Sequence, residues 1–137
     1  DSYKFPRAYM NNTHDFSFSG MKTAFLNLSN SELPLTDEKI SKLSNTFQEA
    51  IVDVLTKKTI EASIKFNCKG IVLTGGVAAN SWLREEMTRK SSMPVFIPEK
   101  KLCTDNGAMV ASFVVENSRS NLINKEDNLN VYSVLNY

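Results

Sequence analysis

Two short runs of this chain have the composition of a ligand site. Leu73-Thr74-Gly75-Gly76-Val77-Ala78-Ala79-Asn80 puts a glycine pair directly after an apolar run. Cys103-Thr104-Asp105-Asn106-Gly107-Ala108-Met109-Val110-Ala111 puts a carboxylate at the start of an apolar helix. Gly75 and Gly76 remove two Cβ atoms where the chain must turn, so a ligand can approach the backbone, and the N–H groups that open the next helix favour a phosphate or a nucleotide edge. Asn80 adds a donor and an acceptor suited to a ribose hydroxyl, a carbonyl or an amide. The same glycines would equally serve tight strand-to-helix packing with no ligand.

Asp105 also has two readings. With Thr104 as N-cap, Asp105 would be a first-turn carboxylate, and the pair would stabilise the helix by about 1–2 kcal/mol. A carboxylate at a loop–helix junction can instead be a hard oxygen ligand for a divalent metal. The sole histidine, His14, lies in the loop-like Asn11-Asn12-Thr13-His14-Asp15, so a site with two histidines needs ligands from outside this chain. Cys68 and Cys103 form no C-x-x-C and are expected as buried free thiols. One histidine with no nucleophile beside it also leaves no protease triad.

The elements that must position these residues follow from periodicity. Phe16-Ser17-Phe18-Ser19 alternates as a short half-buried strand, and Gly20 then turns it into a helix over Met21 to Leu28. Asn30-Ser31-Glu32-Leu33-Pro34 reads as a linker before a long helix that starts near Thr36, with Asp37 and Glu38 in its first turn. Ile40, Leu43, Phe47, Ala50, Ile51, Val54 and Leu55 recur there at three- and four-residue steps, a stripe expected to be core, which Ala62 and Phe66 extend. Asn67-Cys68-Lys69-Gly70 is a helix stop. Ile71-Val72-Leu73 then has the continuous apolar character of a parallel strand buried on both faces. A helix over about Asn80 to Lys90, a strand at Val95-Phe96-Ile97 and a helix over Ala108 to Val115 complete the order. The last helix is so apolar all round that it is expected to be nearly enclosed. The pattern β-α-α-β-α-β-α predicts a layered α/β domain over residues 1–116. The polar stretch 117–137 is expected as a surface extension that ends in an edge strand near Val131-Tyr132-Ser133-Val134-Leu135.

Composition narrows the function classes. The 137 residues suit one domain that buries roughly 70% of its unfolded surface. A net charge of +1 gives no long-range attraction to nucleic acid or anionic membrane, although a local basic patch remains open. No run approaches a membrane span and the first residues lack a signal-peptide pattern, so the expected setting is soluble and cytoplasmic.

Three blocks in order, Asp15-Phe16-Ser17-Phe18-Ser19-Gly20-Met21-Lys22-Thr23, Gly75-Gly76-Val77-Ala78-Ala79-Asn80 with Leu83-Arg84, and Cys103-Thr104-Asp105-Asn106-Gly107-Ala108-Met109, resemble the TsaD family, also called Kae/Qri/Gcp proteins. Phe47-Gln48-Glu49-Ala50 is similar as well. The resemblance implies an actin/Hsp70-like (ASKHA) fold of two ribonuclease-H-like lobes, with this chain as most of the second. It also implies transfer of a threonylcarbamoyl group from threonylcarbamoyl-adenylate to the exocyclic amine of the adenosine beside the anticodon of ANN-decoding tRNAs. By motif, Asn80 would contact the adenylate, Gly75 and Gly76 would shape its pocket, and Asp105 would ligate one Fe or Zn ion. The family's His-x-x-x-His metal ligands and a further Gly-rich loop do not occur here, so the chain is expected to be a C-terminal fragment, inactive alone. Bacterial members are similar in needing TsaB-like and TsaE-like partners. Two rival readings carry different expectations. Another ASKHA enzyme, a kinase or carbamoyltransferase, would be indifferent to Asp105→Ala, and a non-catalytic docking lobe would bind its partner without Asn80 or Asp105.

Overall fold

A 29-residue helix organises the chain because it is apolar on two sides. In the computed structural model, which describes residues 3–7, 9 and 13–119, helix α1 spans Ser19–Ser31 and helix α2 spans Asp37–Lys65. Strand β1 (Ile71–Val72) leads through a 3₁₀ turn at Gly76–Ala79 into helix α3 (Ser81–Lys90). Strand β2 (Val95–Phe96) leads through a second 3₁₀ turn at Lys100–Leu102 to helix α4 (Gly107–Arg119).

One side of α2 presents Leu43, Phe47, Ala50 and Ile51 to Phe5 and to Met21, Ala24, Phe25 and Leu28 of α1. Phe5, Phe25 and Phe47 form an aromatic cluster with centroids 4.8–5.9 Å apart, in the range where ring pairs add about 0.5–1.5 kcal/mol beyond area burial. Another side presents Val52, Leu55 and Ile60 to Ile71, Val95, Leu83 and Met87. The predicted stripe is therefore core in its middle, while Ile40 and Phe66 at its ends are exposed.

The long helix starts and stops where its sequence directs. Thr36 accepts from the Lys39 amide as N-cap, with Asp37 and Glu38 in the first turn. At the other end Asn67 takes φ 51°, and the Asn67 and Cys68 amides donate to the Ile64 and Ser63 carbonyls, the paired bonds of a Schellman stop. The same geometry puts Cys68 at the surface, so the expectation of a buried thiol holds for Cys103 and not for Cys68.

Strands β1 and β2 pair in parallel, Ile71 with Val95 and Val72 with Phe96, as the crossover through α3 requires. Gly70 permits this approach, because a Cβ there would lie 3.0 Å from the Pro94 carbonyl oxygen. Ile71 is buried, whereas Val72 and Phe96 are 71% and 61% exposed, so only one face of the sheet is covered. A continuous apolar run indicated burial on both faces, yet two strands among the described residues bring covering elements to one.

Two other expectations fail for a related reason. Residues 13–18 form no strand, since no neighbouring strand is available there among the described residues, and α1 already begins at Ser19 with Gly20 inside it. Helix α4 is exposed from Ala108 to Glu116, with Phe113 at 66%, instead of enclosed. Apolar composition states that a helix needs neighbours but does not supply them. The predicted edge strand at 131–135 lies outside the described residues.

A charged seam ties the first residues to α2 and α3. Arg7 Nε donates to Asp53 Oδ2 at 2.7 Å and Tyr9 Oη donates to the same oxygen at 2.9 Å, while Lys90 Nζ stands 3.7 Å from Oδ1. Burial works to raise the Asp53 carboxyl, but Tyr9, Arg7 and Lys90 outweigh it and hold it below the ordinary value. Burial and the bond to Asp53 push the Tyr9 hydroxyl up to about 12.

Candidate functional site

The β1–α3 connection opens with Gly75 at φ 88°, ψ 171°, a region essentially closed to residues with a Cβ. The chain then makes the 3₁₀ turn before α3 begins, so the glycine pair does not abut the helix directly. The amides of Gly76 and Val77 donate to nothing among the described residues, and a Cβ at Gly76 would meet no atom within 4 Å. This loop therefore offers unpaired N–H groups and open space, the two requirements for backbone contact with an anionic or polar ligand.

Asn80 is committed at both ends of its amide. Its Oδ1 accepts from the Leu83 amide at 3.0 Å, capping α3, and its Nδ2 donates to Gln48 Oε1 of α2 at 3.0 Å. One Nδ2 hydrogen remains without a partner among the described residues. Asn80 and Gln48 line a cavity of ≈ 320 Å³ whose other walls include Phe25, Phe47, Val77 and Leu83. Gly75 and Gly76 do not line it; they sit beside it, joined through Val77.

The second motif starts inside and ends outside. Cys103 is 4% exposed, and its Sγ lies 3.5 Å from the Glu99 carbonyl oxygen and 3.8 Å from that of Pro98. The expected cap is corrected here. Asn106, not Thr104, caps α4: its Oδ1 accepts from the Met109 amide at 2.9 Å, while its Nδ2 donates to the Thr104 carbonyl at 2.8 Å. Asp105 is thereby excluded from the first turn and left exposed, with no hydrogen bond or ion pair among the described residues. The helix starts two residues later than that reading required, at Gly107, because Asn106 closes the turn on itself.

Arg84 brings the two motifs together. From α3 its Nε donates to the Ala78 carbonyl at 2.6 Å, and its Nη2 donates to the Pro98 carbonyl at 2.7 Å and lies 3.1 Å from Cys103 Sγ. Lys100 adds a bond to Ser81 Oγ at 2.5 Å. A planar guanidinium can serve several acceptors in one plane, which an ammonium cannot. Neither Arg84 nor Gln48 stood out for a role in sequence, since a lone arginine or glutamine on a helix is most often solvated; the only signal was their place inside the motif blocks.

Metal ligation is limited by ligand count. Among the described residues no group of three or more His, Cys, Asp and Glu side chains could hold an ion. Asp105 can give one oxygen ligand and cannot form a site by itself.

The sequence pattern of one family, TsaD, described as tRNA N6-adenosine threonylcarbamoyltransferase, matches residues 1–112. Curated relatives carry the same description. One from Dehalococcoides mccartyi is 49% identical over 107 residues, covering 78% of this chain and 32% of the relative. One from a Sulfurihydrogenibium species is 44% identical over 114 residues, covering 81% and 33%. One from Streptococcus pyogenes is 43% identical over 114 residues, also covering 81% and 33%. The chain thus spans about a third of the length of the curated relatives it matches.

Proposed function

The chain belongs to the TsaD family, and from that membership we propose that it acts in tRNA modification as the second ribonuclease-H-like lobe of an ASKHA-type threonylcarbamoyltransferase. The observation that carries this reading is the Arg84 clamp, which locks the Gly75–Asn80 loop against the turn that presents Asp105.

In this reading the Gly76 and Val77 amides and the free Nδ2 hydrogen of Asn80 bind threonylcarbamoyl-adenylate, with Gly75 giving the turn its shape. Gln48 fixes the Asn80 amide so that its remaining hydrogen points one way. The acceptor is the exocyclic amine of the adenosine next to the anticodon of ANN-decoding tRNAs. Asp105 supplies one ligand to a divalent iron or zinc ion completed by histidines outside this chain. Such an ion, when bound, would act as a Lewis acid toward the carbamoyl carbonyl or the phosphate. TsaB-like and TsaE-like proteins are the proposed partners, in the cytoplasm. Among the described residues, no helix is long and apolar enough to cross a membrane.

The test uses the full-length protein with tRNA and threonylcarbamoyl-adenylate, and measures the modified nucleoside by mass spectrometry. Asn80→Ala and Asp105→Ala should each abolish or strongly reduce product, and the 137-residue chain alone should give none. No product from the unsubstituted full-length protein would remove the enzymatic reading, and unchanged product with both variants would remove the roles given to Asn80 and Asp105.

The exposed apolar side chains Val110 and Phe113 of α4 and Val72 and Phe96 of the sheet favour a second role, a lobe that docks a partner. That role predicts partner binding unaffected by Asn80→Ala or Asp105→Ala.

A further inference from the structure

Lys58 of α2 is 5% exposed, yet its ammonium forms no ion pair among the described residues. It donates to the Asp15 carbonyl and stands 5.5 Å from the centroid of the Phe16 ring. Two of its three N–H groups have no acceptor among the described residues. Lysine is almost never this buried unless paired, because removing an ammonium from water is costly. One carbonyl and one ring face offset part of that cost and leave the charge itself uncompensated.

Lys58 lines a pocket of ≈ 310 Å³ that shares no lining residue with the Asn80 cavity. No Asp or Glu lines it. Its walls include Phe16, Phe66 and Ile71, with His14 set edge-on to Phe66 at 5.1 Å between centroids and Ser63 and Thr59 nearby on α2. The space is at the lower end of the range for small-molecule sites, more than a bare oxyanion needs.

From the buried cation, the absence of acidic walls and the surplus apolar volume, we infer that this pocket binds an organic anion. A carboxylate or phosphate pairs with Lys58, and an apolar or planar body packs on Phe16, Phe66 and Ile71. The competing account is that Lys58 only pins residues 13–18 onto α2.

Phenyl phosphate, benzoate and neutral benzyl alcohol, titrated separately into the isotope-labelled full-length protein with amide NMR shifts as readout, separate the two. Saturable shifts at His14, Thr59, Ser63, Phe66 and Gly70 with at least one anion, absent with benzyl alcohol, are expected, and the preferred anion identifies phosphate or carboxylate as the partner group. Lys58→Met should weaken that binding at least about tenfold, as loss of a charge-assisted contact would, and Lys58→Arg should retain it. No saturable shift with either anion, equal binding of benzyl alcohol, or unchanged binding in Lys58→Met would overturn the inference. The wild-type titrations decide the matter even if Lys58→Met does not fold.

Discussion

Arg84 Nη2 lies 3.1 Å from Cys103 Sγ, joining two sequence motifs that are separated by 22 residues between Asn80 and Cys103. The contact is buried on the sulfur side, and the same nitrogen also serves the Pro98 carbonyl. Removing the guanidinium leaves two backbone carbonyls and a thiol without their donor. Arg84→Ala is expected to destabilise the chain by about 2–4 kcal/mol, the range for lost hydrogen bonds to a charged group. Arg84→Lys should recover less than half of that, because one ammonium cannot reproduce the planar fork. Urea denaturation of the three proteins measures both values; a Lys variant as stable as the parent would show that the charge and not the fork matters.

Asn80 has a capping role and a recognition role that substitutions can separate. Asn80→Ala removes the cap and should cost about 1 kcal/mol of stability. Asn80→Asp keeps the acceptor for the Leu83 amide and should stay within about 0.5 kcal/mol of the parent, since the Gln48 amide can turn to donate. Both lose the Nδ2 donor, so both should lose transfer activity in the full-length protein. Retained activity in Asn80→Asp would limit Asn80 to the cap.

The capping assignment at α4 makes an opposite pair of predictions. Asn106→Ala should cost about 1 kcal/mol, whereas Asp105→Ala, exposed and without a partner, should shift stability by less than about 0.5 kcal/mol. Equilibrium denaturation of both variants, beside metal content of the full-length Asp105→Ala protein, distinguishes a structural carboxylate from a ligand. A clear stability loss with unchanged metal would return Asp105 to a structural role.

Stability should also depend on pH with a known sign. Hydrogen bonds from Arg89 and then Lys90 lower the Glu86 carboxyl from 4.5 to about 2, and Asp53 is lowered as well. Depressed carboxyls contribute stability that is present above about pH 4.5 and is lost as pH falls toward 2. Tyr9, raised from 10.0 to about 12, acts at the other end: its contribution holds below pH 10 and fades as pH rises through 12. Urea midpoints across this range should form a plateau with two falling edges, and Glu86→Gln should flatten the acid edge. The same acid slope in that variant would place the sensitivity elsewhere.

The parts of the fold that local chemistry dictates were legible in the sequence. Thr36, Asp37 and Glu38 announce the start of α2, Asn67 to Gly70 its stop, and the helix expected over about Asn80 to Lys90 is found at Ser81–Lys90. What depends on neighbours was not. Among the described residues, Phe16 to Ser19 alternate like a strand with no strand to join, and Val72 and much of α4 have core composition yet stand exposed. Gly75 and Asn80 were identifiable as special from their types, whereas the Gln48 and Arg84 contacts are long-range and leave no spacing signature. At Asp105 both readings were open, and the Asn106 turn, one residue away, decided against the cap.

Helix α2 forms a wall common to both apolar clusters, while among the described residues α4 contributes to neither. Amide exchange in the two clusters should therefore proceed through a single global opening, as one cooperative foldon. Amides of α4 should exchange sooner, through local opening. The Asp105 turn sits at the border of these regimes, anchored inward through Cys103 and continuing outward into α4, so its geometry can be tightened or slackened by whatever clamps the helix without melting the domain.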